Sequence, residues 1–193
     1  MISAIILAAG QSKRMGRLKQ LLPLDESTIL QKTIQNVKES SVDEIIVVLG
    51  YRAKEIIYKL AEMNVKLVTN SRYDKGMSTS IVAGLKAINL SSEAVMIVLG
   101  DQPFIKSDTF ALLIDTYKSS AKGIQIPIYQ GQRGRPVIIS TKYREEMLLI
   151  KGDVGAKEIL ARHADDILYT EVNDPGITID IDTEDDYREY TVQ

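Results

Sequence analysis

Four short aliphatic runs, Ser3 to Leu7, Glu44 to Leu49, Lys66 to Thr69 and Ala94 to Leu99, are separated by stretches long enough for at least one helix each. Runs so rich in Ile and Val read as strands buried on both faces. Between them Ile29, Ile34 and Val37 recur at near-helical spacing, as do Ile56, Ile57 and Leu60, and then Ile81, Leu85 and Ile88. Strand, helix, strand in this rhythm predicts βαβ units, because parallel strands need a crossover and the crossover is right-handed. In such α/β sheets ligands bind beyond the carboxyl ends of the strands, and Leu7 and Leu99 both end at that edge. Past Phe110 the rhythm blurs. Ile124 to Ile128 and Val137 to Ser140 read as strands flanking the turn YQGQRGRP, so a mixed second half is expected.

The 193 residues suit one domain, and no repeat, low-complexity tract or linker divides them. A formal net charge of -2 argues against nucleic acid as a partner, which usually shows as a basic excess. With no cysteine there is neither disulfide nor thiolate chemistry, which fits a reducing cytosol. The N-terminus lacks the longer apolar stretch of a signal peptide or membrane span, so a cytoplasmic protein with no membrane partner is expected.

Directly after the first strand comes LAAGQSKRMGRLK, Leu7 to Lys19. The small residues Ala8, Ala9 and Gly10 let a base or phosphate approach backbone N–H groups closely. Arg14 offers directed guanidinium hydrogen bonds and Lys19 a point charge, a pair suited to a polyphosphate, while Gly16 lets the loop turn. The spacing matches neither the Walker loop nor the dinucleotide fingerprint. The competing reading is a solvated basic turn.

Two carboxylate groups complete the candidate chemistry. Asp101 follows AVMIVL in LGDQP, where it can serve magnesium as a hard oxygen ligand or simply make a turn before Pro103. In ITIDIDTEDD, an extended Ile177 to Ile181 would put Asp180 and Asp182 on one face, within reach of one ion. Asp182 or Thr183 can instead cap a helix running through Tyr190. The lone His163, within KEILARHA, reads as a helix-surface residue without a catalytic role.

Taken in order, LAAGQSKRMGRLKQLLPL, GMSTSIVAGL, LGDQP, RGRPV, KGDVGAKEIL and IDIDTEDDY resemble the molybdenum cofactor cytidylyltransferase family of MobA-like nucleotidyltransferases, over nearly the whole chain. The resemblance implies an α/β, three-layer Rossmann-like nucleotidyltransferase fold with a mostly parallel central sheet. It implies a nucleotide-binding half over about 1–105 and an acceptor-binding half over about 106–193. The implied reaction joins CMP from CTP to the phosphate of a molybdopterin-type acceptor and releases pyrophosphate, with Mg2+ or Mn2+ as cofactor. A molybdenum hydroxylase apoenzyme is the implied protein partner.

Carried over residue by residue, Leu7 to Gly10 meet base and ribose, and Arg14 and Lys19 hold the triphosphate, Lys19 stabilising the transition state. Asp101, Asp180 and Asp182 take the metal, Asp101 also counting among the catalytic residues. Ser80 contacts the base, with Gly76 and Ser78 shaping the loop before it and Ser78 or Thr79 free to cap the helix. Asn70 can line the same pocket or make a turn. Ala9, where the guanylyltransferase branch has Gly, tilts the donor towards CTP. Arg133 and Arg135 bracket Gly134 and can present two guanidinium groups to the acceptor, although many family members have His in place of Arg135. Gly152, Asp153 and Gly155 form a loop that can close over the acceptor ahead of a helix starting near Ala156, or make a plain turn. Alternatives are a related protein of purine catabolism and molybdenum hydroxylase maturation, a sugar- or alcohol-phosphate cytidylyltransferase, and a nucleotide-binding regulator without catalysis.

Overall fold

The computed structural model describes residues 1–153 and 155–191; Val154 of KGDVGAKEIL lies outside the described residues. In chain order it forms β1 (Ile2–Ala8), β2 (Pro23–Leu24), β3 (Ser27–Thr28), α1 (Ile29–Lys38), β4 (Glu44–Leu49), α2 (Ala53–Leu60) and β5 (Lys66–Thr69). There follow α3 (Met77–Leu85), β6 (Ala94–Leu99), α4 (Ser107–Lys118), β7 (Ile124–Tyr129), β8 (Gln132–Arg133) and β9 (Val137–Ser140). The chain closes with α5 (Arg144–Leu149), α6 (Lys157–Arg162), β10 (Ile167–Glu171) and α7 (Glu184–Thr191).

One sheet runs in the order β10-β7-β9-β6-β1-β4-β5, with β8 beside β7 and β2–β3 forming a separate ribbon. It is parallel except where β9 runs antiparallel to β6 and β7, and β8 antiparallel to β7. Because β6 pairs with β9, the sheet is continuous across the two expected halves.

Period-two alternation splits each central strand between two cores. In β1, Ala4, Ile6 and Ala8 meet α1, α2 and α4 on one face, while Ile5 faces α3, α5 and α6 on the other. In β6, Met96 and Val98 take the first face and Val95 and Ile97 the second. The result is three layers. Burying each of these large side chains contributes about 1.5–3 kcal/mol. α1 is fixed by a capping box: the Gln31 N–H donates to Thr28 Oγ1 at 3.3 Å, and the Thr28 N–H to Gln31 Oε1 at 3.1 Å.

The helix faces also locate the site. The crossovers α1 and α2 lie on one face, whereas the chain returns from β5 to β6 through α3 on the other. The winding therefore reverses between β1 and β6, and a crevice opens beyond their carboxyl ends.

Two local expectations need correction. Ile177 to Ile181 is not a strand: Pro175–Thr178 is a 3-10 turn and the chain beyond it is irregular. Asp174 imposes the turn by accepting from the Gly176 N–H at 3.0 Å, and Pro175 brings no N–H for a ladder. The edge strand β10 was not expected, and its parallel register with β7 joins residues more than forty positions apart, such as Ile167 and Ile124.

Candidate active site

The loop after β1 is built around Ser12. Its carbonyl accepts from the N–H groups of Met15 and Gly16 at 3.0 and 3.1 Å, and its Oγ accepts from the Lys19 N–H at 3.2 Å. Gln20, buried beneath, donates from Nε2 to the carbonyls of Gly10 at 3.1 Å and Ala8 at 3.4 Å, and accepts from Ser12 Oγ at 3.3 Å. These bonds use up carbonyls and leave the loop curled, with Lys19 opening a 3-10 turn (Lys19–Leu21). Neither Ser12 nor Gln20 stood out in the sequence, because a hydrogen-bonded loop carries no periodic signal.

Lys19 Nζ donates to Asp101 Oδ2 and, at 2.6 Å, to Asp182 Oδ1. Arg14 reaches the other Asp182 oxygen at 3.0 Å, and Arg17 holds Glu184 through two bonds of 2.7 and 2.9 Å. Lys19 and Asp101 expose only 12% and 18% of their side chains, whereas Arg14 exposes 72%. Burial opposes the Lys19 charge, yet Asp101 and Asp182 outweigh it and hold the ammonium above its ordinary pKa. Burial likewise opposes the Asp182 charge, but Lys19 and Arg14 hold that carboxyl below its usual range. Asp180 shifts the other way: burial, then the charges of Asp101 and Asp182, push it up and outweigh a hydrogen bond from Gln102 and the charge of Arg135.

All of Leu7, Ala8, Ala9, Gly10, Arg14, Lys19, Ser80, Asp101, Arg135, Asp153, Asp180 and Asp182 line one cavity of about 890 Å3 at the switch point. Two predicted residues do not. Asn70 is buried behind the wall, where Nδ2 donates to Ser80 Oγ at 3.0 Å and Thr79 Oγ1 at 2.8 Å while Oδ1 accepts from the Arg72 N–H at 2.9 Å. It positions Ser80, whose own hydroxyl hydrogen stays available to the cavity. Arg133 points elsewhere, its guanidinium 4.8 Å from the ring centre of Tyr169. The two arginines part because Gly134 presses against Ile177, where any Cβ would overlap, while the Arg135 N–H donates to the Ile177 carbonyl at 2.9 Å.

At α3 the expected caps are replaced, whereas at α7 one of the two expected candidates serves. Ser78 and Thr79 do not cap α3; Gly76 precedes it, and Asp153 accepts from the Met77 N–H at 3.0 Å across a gap of 76 residues. At α7 the cap is Thr183, whose Oγ1 accepts from the Asp186 N–H at 3.1 Å, which frees Asp182 for Lys19 and Arg14. His163 lies away from the cavity, half-buried at the end of α6, with Nε2 2.9 Å from Glu146 and its ring centre 4.1 Å from that of Tyr143, tilted by 32°.

Among the described residues no group of three or more His, Cys, Asp or Glu side chains converges on one ion position. Asp101, Asp180 and Asp182 share a cavity, but the first two to meet, Asp101 and Asp182, meet on an ammonium. Asp101 Oδ1, however, is buried with no hydrogen-bond partner among the described residues. Hard carboxylate oxygens of this kind suit a magnesium or manganese ion.

Comparison with known proteins follows the same lines. Molybdenum cofactor cytidylyltransferase of Escherichia coli (strain K12) is 30% identical over 187 residues, covering 96% of this chain and 93% of its own. Nicotine blue oxidoreductase of Paenarthrobacter nicotinovorans is 26% identical over 94% of this chain and 92% of its own. The structure of Rv0371c from Mycobacterium tuberculosis H37Rv in complex with manganese superposes with a TM-score of 0.82 at 26% identity, covering 98% of this chain and 97% of that one. The MobA-like NTP transferase domain matches residues 4–167, from β1 to the start of β10. With its three-layer sheet and a basic loop and carboxylates at the switch point, the chain belongs to the MobA-like NTP transferase domain family, a family of nucleotidyltransferases.

Proposed function

We propose that this protein transfers CMP from CTP to the phosphate of a molybdopterin-type acceptor, releasing pyrophosphate. The observation that carries the reading is the convergence of Lys19, Arg14, Asp101 and Asp182 in one cavity beyond β1 and β6. The similarity to the Escherichia coli cytidylyltransferase supports the choice of substrates.

In this reading the strand exit from Leu7 to Gly10 receives base and ribose through its backbone, and Ser80 donates its hydroxyl hydrogen to a base acceptor. Arg14 and Lys19 leave their carboxylates for the triphosphate. An acceptor phosphate oxygen forms a bond to the α-phosphorus while the bond to the β-phosphate oxygen breaks, and pyrophosphate departs with that electron pair. No general base is needed, since the acceptor phosphate is already ionised, so positioning and charge neutralisation do the catalysis. Lys19 meets the charge that develops on the phosphates. Asp101, with Asp180 and Asp182 beside it, would hold Mg2+ or Mn2+. A bound divalent ion supplies charge neutralisation on the phosphate oxygens. Arg135 and Asp153 border the acceptor end, with Arg135 taking the acceptor phosphate. A molybdenum hydroxylase apoenzyme is the proposed recipient of the product, and the cytoplasm the proposed location.

Pyrophosphate release with each nucleoside triphosphate and Mg2+ or Mn2+, with and without molybdopterin or sugar phosphates, tests the reading. Release with CTP only when molybdopterin is present is the expected result. Release with a sugar phosphate would reassign the acceptor, and no release with any acceptor would remove the enzymatic reading.

A further inference from the structure

A second cavity, of about 500 Å3, lies between α3, the end of α5 and the chain that follows it. Arg72, Lys75, Lys86 and Lys151 line it, and among the described residues nothing acidic does. The chain as a whole has a net charge of -2, so this is a local excess rather than a share of a basic surface. Lys75 has an ion-pair partner in its neighbour Asp74, at 3.5 Å; the other three have none among the described residues. The remaining lining is largely apolar, with Val82, Leu148 and the buried Ile150.

This combination differs in kind from the main cavity. There Lys19 and Arg14 meet Asp101 and Asp182, with Asp180 and Asp153 also in the lining, and the arrangement suits a metal-accompanied polyphosphate. Here cations stand beside methyl groups with no carboxylate in the described lining, Asp74 meeting only Lys75, so no metal is needed to admit an anion. The volume falls within the roughly 300–1,000 Å3 of small-ligand sites. An apolar body would bury methyl surface, while a charged head would take directed hydrogen bonds from Arg72 and point charges from the lysines. We propose that this groove is a separate binding site for a small organic anion with an apolar body, of the class of aryl or alkyl phosphates.

The groove shares a wall with the main cavity. Asn70 lines the groove and donates to Ser80, which lines the cavity, and Lys75 borders both. The test must therefore separate the two, and Lys86 and Lys151 do so because neither lines the main cavity. The intact protein, 13C-labelled at Ile, Leu and Val methyls, is titrated with phenyl phosphate, inorganic phosphate and benzyl alcohol. Saturating shifts at Val82, Leu148 and Ile150 are expected with phenyl phosphate, with at least tenfold weaker binding of the other two probes. Lys86→Glu with Lys151→Glu should weaken binding at least tenfold, and Lys86→Arg with Lys151→Arg should retain it. Silent methyls, equal response to benzyl alcohol, or indifference to the double charge reversal would overturn the proposal. So would methyl shifts that follow protein concentration without any probe, which would assign the groove to a second copy of the chain. The readout needs no turnover and stands apart from the nucleotidyl-transfer reading.

Discussion

Lys19 is the residue on which the site turns. It is one ammonium between two carboxylates, so Lys19→Ala removes the group that meets phosphate charge and leaves Asp101 and Asp182 repelling each other. Turnover should fall by about two to three orders of magnitude, the cost of losing one preorganised electrostatic group. Near-normal steady-state turnover in a folded variant would place Lys19 outside the chemistry. The same cluster has a defined pH dependence. The Lys19 pKa is raised on folding, so its contribution to stability is complete below its unfolded value of about 10.4 and is lost as pH rises through the folded value. The Asp182 pKa is lowered, so its contribution is present above about 3.9 and is lost as pH falls through the folded value. The stability difference between wild type and Lys19→Ala in denaturant titrations should therefore be flat from about pH 4 to 10 and shrink on either side. Far from the site, hydrogen bonds from Lys142 and Tyr143 hold Asp166 at a pKa of about 2. Its stabilisation is complete above the ordinary carboxylate value and is lost as pH falls through about 2, so Asp166→Asn should be less stable at neutral pH and the gap should narrow steadily in acid. A gap at pH 2 as large as at neutral pH would mean the carboxylate charge is not what stabilises.

At the scale of elements, helix starts are the informative features. α1 carries its own instructions in Thr28 and Gln31, and Thr28→Ala should cost about 1 kcal/mol in equilibrium unfolding. α3 does not: its first N–H groups are met by the loop around Gly152 and Asp153, with the Ser78 N–H donating to the Gly152 carbonyl at 3.2 Å. Gly76 makes that approach possible, since its φ is 101° and a Cβ would overlap Gly152. Gly76→Ala should therefore destabilise by more than about 1 kcal/mol and displace Ser80 from the cavity. Unchanged stability with unchanged nucleotide affinity would show that the two loops are not coupled. The sequence placed four parallel strands and their helices closely, because apolar runs and helical spacing are local patterns. It misread Ile177 to Ile181, whose alternating pattern resembles a strand, because Asp174 and Pro175 take the backbone into a turn.

At the scale of the whole molecule, the first loop, the end of β6 and the C-terminal segment come from the start, middle and end of the chain and close one cavity. Tyr187 binds the Pro23 carbonyl at 2.6 Å and Arg17 holds Glu184, so the last helix secures the first loop. CTP with Mg2+ at about a hundred times its dissociation constant should stabilise the fold by about 2.7 kcal/mol, read as a rise in melting temperature. Asp101→Asn should abolish the metal-dependent part of that rise; a rise that survives would move the metal elsewhere. The amino-acid sequence by itself determined the βαβ order, the basic loop, the carboxylates and the family, all of which rest on neighbouring residues and ordered motifs. Only the tertiary structure decided that Arg133 leaves the site while Arg135 stays, that Asn70 stands behind Ser80, and that Asp182 meets Lys19 rather than capping α7. Those outcomes depend on strand register and on contacts between residues up to 168 positions apart. Spacing along the chain carries no information about distances of that kind.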